Sequence, residues 1–404
     1  MISVEEALRR VVEAFSPLAV EQVGLAEGLG RVLAEDVIAR ITQPPKAVSA
    51  MDGYAVRASD VQKVPVTLRC VGAAPAGVPY DGRLGPGQAI RIFTGAPVPA
   101  GTDAIVIQED TKSEGDRVVV LEAPQPGRYI RPAGLDFQRG EVGITAGRRL
   151  GPRDIALAAA MNVPWLSVRR KPRVAILATG NEIVMPGDPL GPDQIVSSNA
   201  LALAAAIVAW GGEPLNLGIA KDTKESLQAL AAGARGADLL ITTGGASVGE
   251  HDLVQSALSE RGLKVDFWQI AMRPGKPLIF GRLGDTPLLG LPGNPVSSMV
   301  CAIVYLKPVL ERMLGLAAVE RPQATARLGR DIGANDRRQD YLRSRLERAR
   351  DGELVVTPFD VQDSSMLSRL AQADCLLIRP PLAPPAKAND RVPIIVLDAA
   401  FASS

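Results

Sequence analysis

One histidine, His251, and three cysteines, Cys70, Cys301 and Cys375, are all that this chain of 404 residues offers a soft metal ion. The cysteines lie far apart, each among apolar neighbours, so their spacing builds no zinc cluster. Such cysteines ordinarily end in a core, and a Cys–His nucleophilic pair could arise only through the fold. His251 reads as an exposed loop imidazole. Aromatics are scarce at 4%, which argues against the stacking platforms that hold single-stranded nucleic acid. Net charge is nearly nil, with 45 Lys and Arg against 44 Asp and Glu. A chain so balanced has no excess to draw it to nucleic acid or to an anionic membrane, so any anion site must be local. No apolar run reaches transmembrane length, the best being residues 201–210. Glu5, Glu6, Arg9 and Arg10 interrupt any signal-peptide segment. What remains is a cytoplasmic enzyme whose chemistry rests on carboxylates, Lys, Arg, Ser and Thr.

A hydrophobic content of 47% supports roughly two to four domains at this length. The pattern predicts an α/β plus β multidomain chain. Residues 1–43 and 148–171 read as a small discontinuous helical domain. Ser3 and Glu6 form a capping box before Val4, Ala7, Leu8, Val11 and Phe15 at helical spacing; residues 24–40 read as a second short helical segment, and residues 152–161 as a third helix. Residues 44–147 carry short β-like runs between Gly and Pro clusters, a β-rich domain. From 172 to 316 strands and helices alternate, which means a central doubly wound α/β domain with a largely parallel sheet; Pro308 should kink or break its last helix. Residues 317–404 read as a C-terminal β-domain, barrel-like.

The stretch from Asp238 to Ser298 concentrates three glycine-rich turns after apolar runs. Thr243, Gly244 and Gly245 permit positive φ and close approach of another group. In Pro292-Gly293-Asn294 the asparagine can cap a helix that Pro295 begins, and a helix N-terminus attracts oxyanions. Arg273 and Lys276 bracket Pro274 and Gly275, two cations on a short rigid segment. In open parallel sheets ligands bind at the carboxyl ends of strands. Carboxylates and amides stand at such ends: Asn181 and Glu182, Asp222, Glu250 and Asp252. Converging there, they would hold a hard cation such as magnesium with an oxyanion as co-ligand. Asp222 and Asp252 fit helix N-caps equally well, and Asp52, followed by Gly53, fits a tight turn.

The blocks PPKAVSAMDGYAV (44–56), TGAPVPAGTDAIV (94–106), RPAGLDFQRG (131–140), LATGNEIV (177–184), TTGGASVGEHD (242–252), MRPGKP (272–277) and LPGNPVSS (291–298) resemble the molybdopterin molybdenumtransferase family, which includes MoeA proteins and the E domain of gephyrin. The likeness spans nearly the whole chain. It implies insertion of molybdate into adenylated molybdopterin and hydrolysis of the adenylate, releasing molybdenum cofactor and AMP with Mg2+. It also implies a homodimer of four-domain subunits whose cleft is completed by a neighbour's β-rich domain. On that pattern Asp52, Thr94, Asp136, Glu182, Asp222, Asp252 and Lys276 are catalytic, with Glu182, Asp222 and Asp252 on the metal. Gly244, Gly245, Ser247, Gly249, Arg273, Gly275, Pro292, Gly293, Asn294, Arg338, Ser364 and Ser365 would bind substrate. The resemblance also allows transient contact with the adenylating enzyme and apo-molybdoenzymes.

Three positions depart from the pattern. Asn181 stands where the family commonly has an aspartate, Arg273 where a lysine is frequent, and Ala246 where valine is common. Two other readings remain: another metal-dependent enzyme of nucleotide or pterin phosphates, such as molybdopterin adenylylation, and a gephyrin-like binding scaffold. Retention of so many carboxylates with Lys276 is unneeded for peptide binding and speaks against a scaffold alone.

Overall fold

Alternation of apolar side chains decides the central sheet. The computed structural model describes residues 1–244, 253–317 and 324–397. The chain divides into two units, one of Met1–Glu21, Gly30–Ala34 and Val168–Ser404, the other of Gln22–Leu29 and Glu35–Ser167. In the first unit, β1 (Arg173–Thr179), β2 (Glu213–Ala220), β3 (Leu239–Thr243), β4 (Leu263–Gln269), β5 (Pro277–Leu283) and β6 (Thr286–Leu291) form one sheet in the order β2-β1-β3-β6-β5-β4. Successive strand residues face opposite sides. Val174, Ile176, Leu239, Ile241 and Leu289 therefore enter one core with helices α1 (Val4–Glu13) and α2 (Asn199–Ala209). Ala175, Leu177, Leu240 and Leu288 enter the other with α3 (Lys224–Ala231) and α4 (Leu253–Ser259). The sheet is covered on both faces, the doubly wound arrangement.

It is not parallel throughout. β2, β1, β3 and β6 are parallel, but β5 runs antiparallel to both β6 and β4. The reason lies in the connections: a parallel crossover needs about a dozen residues or more, whereas only Gly284 and Asp285 join β5 to β6. Residues Pro295–Cys301 (α5) and Lys307–Met313 (α6) are joined by a π-helical turn, Ala302–Leu306. Pro308 does not break the helix, which runs on to Met313. The widened turn lies just where its ring would otherwise meet the carbonyl of Val304.

Residues beyond 323 close a barrel. β7 (Ala324–Leu328), β8 (Gln339–Arg348), β9 (Leu354–Pro358), β10 (Cys375–Arg379) and β11 (Arg391–Val396) pair in the order β8-β9-β7-β11-β10, and β10 returns to β8. Leu328, Leu346, Val356, Leu377 and Ile394 fill its interior. Met272–Arg273 adds to its edge, in parallel register with Gln339 and Asp340.

In the second unit six strands pair in the order Ala104–Ile107, Gly53–Val56, Gln88–Ile92, Val66–Ala74, Arg117–Val120, Thr111–Glu114. The helix Pro152–Ala160 belongs here, with Asp154 accepting from the Gly151 amide at 2.8 Å; α1 belongs to the first unit. Residues 24–40 are not helical beyond the 3-10 turn Leu25–Glu27. Gly28 and Gly30, the latter at φ +75°, make continuing the helix costly. At α1 half of the capping box forms: Ser3 Oγ accepts from Glu6 N at 3.1 Å. The Glu6 carboxylate turns instead to Arg9 and Arg10. No described helix is long and apolar enough to cross a membrane.

Candidate active site

The strand order reverses between β1 and β3, since β1 leads through α2 to one flank and β2 returns through α3 to the other. At such a switch point the loops beyond the carboxyl ends diverge and leave a crevice. A cleft of about 400 Å³ lies there, lined among others by Ala178, Glu182, Asn199, Thr243, Gly244, Gly293, Asn294 and Ser365.

Backbone contacts fix its walls. Gly244 has φ +92°, and a Cβ on it would lie 2.4 Å from the carbonyl oxygen of Thr179. Only glycine lets the loops after β1 and β3 approach this closely. Asn199, at the start of α2, donates from Nδ2 to Thr243 Oγ1 at 2.9 Å and to the Gly293 carbonyl at 2.7 Å. One amide thus ties three loops together. Asn199 is absent from the sequence-based candidates; the signal was Ser197-Ser198-Asn199 ahead of an alanine-rich helix.

The carboxylate edge is built by a reciprocal pair. Asn181 N donates to Asp222 Oδ2, and Asp222 N to Asn181 Oδ1, both at 3.1 Å. The neutral residue at 181 is thus an acceptor that holds Asp222 in place. Asp222 does not cap α3; Thr223 does, accepting from Ser226 N at 3.2 Å. The loop bearing Glu182 is held by Ile195 N, which donates to the Glu182 carbonyl at 2.7 Å. Asn294 occupies the N-cap position of α5, with Pro295 following, yet makes no capping bond. Its Nδ2 donates instead to Ser364 Oγ at 2.8 Å, and the Ser364 carbonyl accepts from Val296 N at 3.1 Å. The barrel's 360s loop thereby docks on the start of α5. Ser365 donates to Asp363 Oδ1 from N and Oγ, at 2.8 and 2.6 Å.

The two arginines proposed for substrate are both engaged. Arg273 pairs with Asp340 and, at 3.3 Å, with Asp336. Arg338 donates to Asp336 from its backbone N and its guanidinium, each at 2.8 Å. These bonds, with the charge of Arg273 behind them, hold the Asp336 carboxyl down to about 2. Gly275, at φ +107°, packs so tightly on Cys301 that a Cβ would come within 2.4 Å of its Sγ. Lys276 follows, its carbonyl accepting from Ile270 N at 3.0 Å.

In the second unit Asp52 and Thr94 meet. Asp52 Oδ1 accepts from Thr94 N at 2.7 Å and from Thr94 Oγ1 at 2.8 Å. Those bonds, aided by Arg91, keep the carboxyl below its usual range. Asp136 is anchored by its backbone N, which donates to the Gln43 carbonyl at 3.0 Å. Gly245, Ser247, Gly249, Glu250, His251 and Asp252 lie outside the described residues. Among the described residues, no three His, Cys, Asp or Glu side chains gather as a metal cluster.

Three family profiles match in order: the MoeA N-terminal region (domain I and II) over residues 2–162, a probable molybdopterin binding domain over 175–312, and the MoeA C-terminal region (domain IV) over 325–397. The chain belongs to the MoeA family. Among relatives, the molybdopterin molybdenumtransferase of Haemophilus influenzae is 34% identical over 94% of each chain. That of Nostoc sp. is 40% identical over 80% of this chain and 76% of its own. The crystal structure of the molybdopterin biosynthesis MoeA protein from Pyrococcus horikoshii superposes with a TM-score of 0.83. It is 33% identical, covering 99% of this chain and 100% of that one. In this MoeA chain, therefore, the cleft at the switch point is lined by the segment matched as a probable molybdopterin binding domain, with Ser365 added from the segment matched as the MoeA C-terminal region.

Proposed function

We infer that this chain is a molybdopterin molybdenumtransferase, inserting molybdate into adenylated molybdopterin and hydrolysing the adenylate to release cofactor and AMP. The observation that carries this is the ordered match of all three family segments, in a chain whose relatives with that name align over up to 94% of its length. The residue inventory agrees: sulfur for the soft metal comes from the pterin dithiolene, so the poverty in Cys and His is no obstacle. The scaffold and adenylylating readings have no such support.

Magnesium suits the donors. Glu182 and Asp222 present carboxylate oxygens at an exposed sheet end, and Asp222 Oδ1 has no hydrogen-bond partner among the described residues; hard oxygen ligands of this kind fit a small hard cation. Glu182, Asp222 and Asp252 would hold it, and when bound it would polarise the pyrophosphate and lower the pKa of a water. The chain's own part is placement. Asn181 fixes Asp222, Asn199 sets the width of the cleft, and Lys276 offsets anionic charge. Arg273, frozen against Asp336 and Asp340, supports the barrel edge and shapes the site rather than meeting substrate first. Asp52 and Thr94 are proposed to complete the cleft of a second copy in a cytoplasmic homodimer, which sedimentation would register at twice the 42.5 kDa of one chain.

The test is direct. Purified protein with adenylated molybdopterin, Mg2+ and molybdate should release AMP, and omission of molybdate should suppress it. No AMP under any of these conditions would sink the transferase reading.

A further inference from the structure

The most deeply buried charged side chain among the described residues takes no part in the proposed reaction. Arg343, in the middle of β8, is 1% exposed, and its Nε has no hydrogen-bond partner among the described residues. Taking a guanidinium out of water is costly, and a well-packed apolar side chain often stabilises such a position better. Burial pushes the Arg343 guanidinium below its usual pKa, and the charges of Asp363 and Asp340 work against that. A charge kept here at such a cost calls for a role beyond filling space.

What Arg343 touches is one loop. Between Pro358 and Leu367 the chain forms no strand or helix, so the backbone groups there need partners from elsewhere. The Arg343 carbonyl accepts from Phe359 N at 3.0 Å. Gln362 closes a ring on the same backbone: its Oε1 accepts from Arg343 N at 3.0 Å, and its Nε2 donates to the Arg343 carbonyl at 2.9 Å. Any residue at 343 would supply these three bonds. The guanidinium adds a fourth, from Nη2 to the Asp363 carbonyl at 3.1 Å.

That fourth bond falls directly before the two serines that reach the site. Ser364 Oγ accepts from Asn294 Nδ2, and the Ser364 carbonyl accepts from Val296 N. Ser365 lines the cleft, and the Asp363 carboxylate holds it by both N and Oγ. Fixing Asp363 therefore fixes both serines.

We propose that Arg343 is a positioning residue: its guanidinium pins Asp363, and so sets where Ser364 docks on α5 and where Ser365 stands at the cleft. Being buried, it meets no ligand itself. The proposal rests on the transferase reading for what the cleft binds, but the docking of loop on helix can be measured without turnover.

Hydrogen exchange at the Val296 amide reads that docking in the full-length protein. Arg343→Met keeps an unbranched side chain without the donor, and exchange at Val296 should quicken about tenfold or more, the worth of a charged hydrogen bond. Arg343→Lys, which keeps a charged donor without the fork, should recover part. Should Arg343→Met not fold, Gln362→Ala frees the same loop from the Arg343 backbone, and Val296 should again exchange faster. In turnover, Arg343→Met should raise KM about tenfold with kcat kept. It should add little in a Ser364→Ala, Ser365→Ala background, where the loop has no hydroxyl left to place. Wild-type exchange at Val296 in both Arg343→Met and Gln362→Ala overturns the proposal. So does faster exchange with KM unchanged, because the loop then has no bearing on the cleft. Full additivity with the serine changes overturns it too, because Arg343 then acts by another route. A wild type that releases no AMP, while Arg343→Met still quickens Val296, refutes the transferase reading and leaves the positioning of the loop standing.

Discussion

Gly244→Ala isolates how closely the loops at the switch point must meet. Two penalties are present in the structure. At φ +92° an L-residue is strained by about 1–2 kcal/mol, and the new Cβ would lie 2.4 Å from the Thr179 carbonyl oxygen. Because that neighbour is backbone, relief requires β1 and β3 to part at their ends, an overpacking cost of about 1–3 kcal/mol. The control is built into the same sheet. Gly218 has φ +90° and nothing within 4 Å of its Cβ position, so Gly218→Ala carries the first penalty without the second. Urea unfolding of both variants should therefore show Gly244→Ala destabilised by about 1–3 kcal/mol more than Gly218→Ala. AMP release should fall sharply in the former and hold in the latter, because widening the strand ends also strains the Asn199 bond to Gly293. Equal destabilisation in the two variants, or full activity in Gly244→Ala, would refute the reasoning.

Asn199→Ala removes two hydrogen bonds that tie three loops, so unfolding should show a loss of about 1–3 kcal/mol and steady-state kinetics a raised KM. Thr94→Val leaves the backbone bond to Asp52 but deletes the hydroxyl; the Asp52 carboxyl then rises, and the acid limb of the pH–rate profile should move to higher pH. Asp336, held to about 2 in the folded chain against about 3.9 unfolded, contributes stability that is complete above pH 4 and lost as pH falls toward 2. Asp336→Asn should abolish that segment of the stability–pH curve and leave the rest. Asn181→Asp keeps an acceptor for the Asp222 amide and adds a charge beside it, so the Mg2+ concentration for half-maximal activity should drop.

Much of this was legible because it is local. Periodicity placed the strands and helices of the α/β unit, and the turns at Gly244 and Gly293 do line a cleft at strand ends. What stayed hidden depends on partners distant in sequence. Asn294 reads as a cap, but Ser364 Oγ, seventy residues on, claims its side chain. Asp222 and Thr223 are both acceptable caps, and the amide of Asn181 decides between them. Arg273 looks like a cation awaiting an anion until β8 brings Asp340 beside it. Barrel closure between β8 and β10 is likewise a pairing across some thirty residues that no local pattern announces. Residues 24–40, expected as a short helical segment, differ for a local reason: Gly28 and Gly30 follow the 3-10 turn Leu25–Glu27, which ends after three residues.

The central claim is that this chain joins molybdenum to the pterin as it cleaves the adenylate, using the cleft between β1 and β3. It is tested most directly by counting AMP and molybdenum-loaded cofactor in one reaction, wild type beside Lys276→Ala. The account predicts one cofactor per AMP, both dependent on molybdate, and both lost in the variant at unchanged fold. AMP released without cofactor, or equal yields from Lys276→Ala, would contradict it.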